Sequence, residues 1–75
     1  LFMNELPIGS TARIITYTQQ DSFTERLREF GLIPGTVIRL LRKAPFNGPV
    51  EIQYRNSRIV LRPNELAHLR LERIA

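Results

Sequence analysis

The chain contains no cysteine and only one histidine among its 75 residues. The absence of cysteine removes disulfides and thiolate metal sites as sources of stability, so one hydrophobic core must carry the fold. A chain of this length buries only about 60% of the surface its unfolded form exposes, which allows one domain and one core. No apolar run approaches the roughly 20 residues needed to cross a bilayer as a helix. The N-terminus lacks the basic start and apolar middle of a signal peptide, so a cytoplasmic location is expected. Leu1 and Phe2 precede Met3 and read as a cloning remnant or as the end of a longer segment.

Catalytic signatures are also missing. Ser10, Ser22 and Ser57 have no paired base and orienting acid, because the lone His68 cannot activate three separate serines. No Walker A loop is present, so the chain itself is not expected to bind or hydrolyse GTP. His68 and Glu65 stand three apart, and one imidazole with one carboxylate falls short of a ferrous or zinc site. No metal and no cofactor are therefore expected within the chain. A metal shared across an oligomer interface, and weak self-association, remain open at this level. Tyr17, Tyr54 and Phe46 are too few and too separated to form a base-stacking platform.

What is present is an ordinary apolar content of 43% and a surplus of cations. Eleven Lys and Arg face seven Asp and Glu, for a formal charge of +4. All but Lys43 of these cations are arginine, the side chain suited to planar contacts with carboxylate or phosphate. Arg39, Arg42, Lys43, Arg55, Arg58 and Arg62 cluster in the middle of the sequence. They constitute either a solvated exterior or a positive face for an acidic partner.

The apolar pattern predicts five short strands and one helix. A lead-in and turn at Leu6–Gly9 precede a strand over Thr11–Tyr17, with Ala12 and Ile14 on one face. Ser22 reads as a helix N-cap and Glu25 as its capping-box partner. Phe23, Leu27 and Phe30 form one apolar stripe, expected to fasten the helix to the core. Gly31 suits a left-handed C′ position with Leu32 packing back behind it, and Pro34-Gly35 suits a type II turn. A second strand covers Val37–Arg42, with Ile38 and Leu40 inward. After the Pro45–Pro49 break, Val50, Ile52 and Tyr54 alternate along a third strand. A tight turn at Arg55–Arg58, with Asn56 tolerating left-handed geometry, leads to a strand carrying Ile59 and Leu61. Pro63–Leu66 reads as a single 3₁₀ or helical turn before a last strand with Leu69 and Leu71. This order predicts a mainly β domain spanning residues 1–75. Its form is a small SH3-like barrel of five antiparallel strands, one short helix after the first and no exposed sheet edges; an OB-fold is the alternative.

The ordered combination of these residues resembles the FeoA family. The resemblance rests on Leu6, Gly9 and Ala12-Arg13-Ile14, then Leu27 with Phe30-Gly31-Leu32 and Pro34-Gly35. It continues through Leu41-Arg42-Lys43-Ala44-Pro45, Gly48-Pro49, Glu51-Ile52, Leu61-Arg62 and Glu65. Leu66 and Pro63 depart from the family's usual residues in the late turn. The resemblance implies a small cytosolic protein required for ferrous iron uptake. Its implied partner is FeoB, an inner-membrane transporter with a cytosolic GTP-binding domain, which would recruit it to the inner face of the membrane. Arg42, Lys43 and Phe46 are the expected docking residues, with Leu32 and Pro34 shaping the rim beside them into one composite site. A barrel module of an iron-dependent transcriptional regulator and a weak nucleic-acid-binding domain are the alternatives.

Overall fold

The computed structural model describes residues 1–75. Five antiparallel strands form a single bent sheet: β1 (Thr11–Tyr17), β2 (Val37–Lys43), β3 (Val50–Tyr54), β4 (Ser57–Leu61) and β5 (Leu69–Arg73). One helix, α1 (Ser22–Glu29), follows β1, and 3₁₀ turns cover Met3–Glu5 and Pro63–Leu66. The strand order is β4-β3-β2-β1-β5. The sheet wraps around one core in which Ala12, Ile14, Ile38, Leu40, Ile52, Leu69 and Leu71 are buried. Alternation produces this core, since inward residues occur at every second position until a bulge intervenes. Irregular register between Ile14 and Thr16, and between Leu40 and Arg42, bends β1 and β2 enough to wrap.

Hydrogen bonding does not close the barrel, contrary to the expectation of a sheet without edges. β4 and β5 share no ladder and remain the two edges. Five strands of five to seven residues wrap the core but leave a seam, which Leu66 and Met3 of the 3₁₀ turns help to fill. The main chain of Leu1 exchanges two hydrogen bonds with Leu71, at 2.9 and 2.7 Å, and so occupies the outer edge of β5.

The helix begins one residue earlier than the sequence pattern suggests. Asp21 is the N-cap: its Oδ1 accepts from the Thr24 amide at 2.9 Å, and Thr24 Oγ1 accepts from the Asp21 amide at 2.8 Å. This reciprocal box displaces the expected Ser22–Glu25 pair because the carboxylate caps at least as well and Thr24 turns inward. The expected Phe23–Leu27–Phe30 stripe is narrower than its spacing implies. Leu27 is buried, whereas Phe23 and Phe30 remain 41% and 42% exposed. A helix of eight residues over the end of so small a barrel covers only its central row.

The helix C-terminus forms a complete Schellman motif. Gly31 takes φ 96°, its amide donates to Arg28 O at 2.9 Å, and the Leu32 amide donates to Leu27 O at 3.0 Å. Two tyrosines secure this end from the sheet. Tyr17 Oη donates to Leu32 O at 2.6 Å and Tyr54 Oη donates to Phe30 O at 2.8 Å. Burial raises the Tyr17 phenol to about 12, with nearby Arg28 partly opposing the shift.

Candidate functional site: a basic sheet face and a strained hairpin tip

The strand register sorts the cations. Arg39 lies opposite Gln53, and Gln53 lies opposite Arg58, so both arginines share a row across the outer face of β2–β3–β4. In the adjacent row Arg42 lies opposite Glu51 and Glu51 opposite Val60. Arg62 follows directly after β4 in extended backbone. Arg39, Arg42, Arg58 and Arg62 are all exposed. The one ion pair in the structure, Arg13 with Glu72 at 3.4 Å, involves none of them. A single carboxylate, Glu51, therefore stands among four uncommitted guanidinium groups. Such a face attracts acidic groups, and salt screens that attraction over about 8–10 Å.

The hairpin between β2 and β3 places an aromatic ring at its tip. Phe46 and Asn47 take φ 59° and 57°, and the Gly48 amide donates to Pro45 O at 3.1 Å. Two consecutive left-handed residues define a type I′ turn, the form whose twist matches paired strands. Asn47 suits its position, but a phenylalanine in this conformation costs about 1–2 kcal/mol. Its ring is 100% exposed, so no burial offsets the cost. Gly48 is required by space rather than by φ: a Cβ there would lie 2.7 Å from Ala44 Cβ.

The other expected docking residues are distributed differently. Lys43 is half-buried, and its Nζ donates to Leu6 O at 2.6 Å and to Asn4 O at 3.5 Å. Its charge thus holds the N-terminal 3₁₀ turn against β2, a role unreadable from sequence because that turn carries no strong local signal. Leu32 is 0% exposed and offers no surface of its own for docking. Pro34 is exposed, but it lies at the opposite end of β2 from Phe46. At about 3.3 Å per residue, the strand separates the two ends by about 20 Å. The expected composite rim is therefore two separate surfaces. Pro34 belongs to a shallow hollow with Ile33, Gly35, Val37 and Arg55, while Phe46 adjoins the basic face.

Arg55, not Asn56, is the left-handed residue of the β3–β4 turn, with φ 56°. Among metal-ligating groups, no three of His, Asp and Glu converge. His68 Nδ1 lies 3.4 Å from Thr18 Oγ1, and no carboxylate is hydrogen-bonded to the ring. No helix is long and apolar enough to cross a membrane.

Comparison with known proteins places this geometry. The family model described as FeoA domain matches residues 3–73. Iron(II) transport protein A from Clostridium thermocellum is 27% identical and superposes with a TM-score of 0.89. The match covers 99% of this chain but 46% of that one, so the present chain spans about half its length. FeoA of Stenotrophomonas maltophilia, solved with zinc and described as an SH3 domain protein, is also 27% identical. It covers 96% of this chain and 89% of its own, with a TM-score of 0.77. A manganese-dependent transcriptional repressor shares the fold alone. It is 13% identical, with a TM-score of 0.82 over 92% of this chain and 39% of that one.

Proposed function

The chain belongs to the FeoA family, and on that basis we propose that it is a noncatalytic accessory of ferrous iron transport that docks on the FeoB transporter at the cytoplasmic face. The family match over residues 3–73 carries this reading. Two features of the molecule support docking as its means. The arginines of β2–β4 form an open positive face, and Phe46 is held in a costly conformation with its ring in solvent. Strain retained at an exposed site points to a role outside the folded state. Arg42 supplies long-range attraction, and Phe46 supplies an apolar anchor once the surfaces meet. Lys43 contributes indirectly by fixing the segment behind the hairpin.

Nucleic acid is the weaker reading, because Phe46 is the one fully exposed aromatic and a stacking platform needs several. The test is titration against the intact transporter in lipid discs and, separately, against its GTP-binding domain. Saturable binding that weakens with salt is expected. No saturable binding in the nucleotide-free, GDP or GTP-analogue states overturns the reading. GTP turnover measured alongside separates regulation from assembly.

A further inference from the structure

The two edges of the sheet are treated differently. Leu71 on β5 exchanges two main-chain hydrogen bonds with Leu1, so part of that edge is already covered. β4 has no such cover: outside its ladder with β3, no main-chain or side-chain hydrogen bond involves residues 57–61. The register fixes which groups are free. A two-residue turn makes Tyr54 and Ser57 a hydrogen-bonded pair, and the β3–β4 ladder then runs without a bulge. Ile59 and Leu61 therefore bond to β3, and the N–H and C=O of Arg58 and Val60 point outward. This edge presents two donors and two acceptors to solvent beside a 60% exposed valine.

The side chains along the edge select its occupant. On the outer face the edge reads Arg58, Val60, Arg62 at every second residue, with Arg39 and Arg42 on β2, one strand beyond β3. A second copy of β4 would bring guanidinium groups against guanidinium groups, the usual device by which edges resist self-pairing. A strand with a carboxylate, an apolar residue and a carboxylate at alternate positions would instead match all three side chains and the free main chain. We propose that the β4 edge binds an extended acidic segment of a partner protein by strand addition, with Arg58 and Arg62 flanking an apolar residue seated at Val60. The proposal deepens the docking reading and rests on it only for the partner's identity.

The probe is a fluorescent peptide with glutamate-threonine-valine-threonine-glutamate at its centre, followed by anisotropy. Saturable binding is expected, with slowed amide exchange at Arg58 and Val60. Val60→Pro removes one outward amide at an edge position that tolerates proline, and should weaken binding at least tenfold. The peptide N-methylated on the amides facing β4 keeps its charge and leaves the protein untouched; it should lose a similar factor. Failure of the peptide to bind overturns the proposal. Equal binding by Val60→Pro, or by the N-methylated peptide, also overturns it, since carboxylates would then merely adhere to the arginines. So does sedimentation showing a dimer that Val60→Pro dissolves. A peptide that binds the edge, when no nucleotide state of the transporter binds the protein, leaves this proposal standing and removes the docking reading. Transporter binding by a protein that does not bind the peptide does the reverse.

Discussion

Lys43 Nζ sits 2.6 Å from the carbonyl oxygen of Leu6, tying the N-terminal 3₁₀ turn to the end of β2. A charged donor on a half-buried carbonyl is worth about 1.5–3 kcal/mol, more than an exposed ion pair. The basic pair Arg42-Lys43 thus divides into one free cation and one structural one.

Lys43→Met should destabilise the protein by about 1–2 kcal/mol, lowering the melting temperature by about 4–16 °C for a domain this small. Arg42→Glu should stay within about 0.5 kcal/mol of wild type. Urea unfolding of both variants checks the division. Equal stability of the two would remove the structural role assigned to Lys43.

Phe46→Gly should stabilise the fold by about 1 kcal/mol. Glycine accepts the left-handed φ of 59° without a Cβ, and the exposed ring forfeits no burial. The entropy glycine adds to the unfolded chain reduces the gain. A melting temperature below wild type would show that the ring packs against the hairpin.

Gly31→Ala should cost about 1–2 kcal/mol, from conformation and not from crowding. The nearest atoms to an added Cβ lie at 3.8 Å, ordinary contact distance, while φ is 96°. Thermal melting of this variant beside Gly31→Asn checks the cause, since asparagine tolerates the left-handed region better and should cost less.

Tyr17 gives an alkaline signature. Its phenol titrates at about 12 in the folded state, above the usual value near 10. A folded protein that holds this proton more tightly is stabilised below pH 10, and that contribution fades as pH rises from 10 to 12. Tyr17→Phe lacks both the titration and the 2.6 Å bond to Leu32 O. It should be about 1 kcal/mol less stable near neutrality, with the gap narrowing between pH 10 and 12. A gap constant with pH would contradict the burial assigned to the phenol.

The limits of β1 and the inward residues of β3 and β5 were legible because alternation and turn residues agree there. The C-terminus of α1 was legible for the same reason, since Gly31, Leu32 and Pro34-Gly35 each demand one local geometry. Its N-terminus was ambiguous because Asp21/Thr24 and Ser22/Glu25 offer overlapping boxes, and inward packing of Thr24 decides between them. The exposure of Phe23 and Phe30 depends on how much barrel end lies beneath the helix, a quantity that helical spacing does not contain. The candidate site divides similarly. Turn residues marked the Phe46 hairpin and composition marked the arginines. The anchoring of Lys43, the burial of Leu32 and the distance of Pro34 from Phe46 are long-range consequences of the topology. The open β4 edge was likewise hidden, because local alternation does not say whether terminal strands meet.

Docking is the central claim, and the dissociation rate of the protein from the intact transporter tests it most directly. The account predicts saturable binding, with Phe46→Gly leaving about tenfold faster although it melts no lower than wild type. Arg42→Glu should mainly slow association, and more so at low salt. Absence of saturable binding in every nucleotide state would contradict the account, and unchanged rates in both folded variants would remove this face from it.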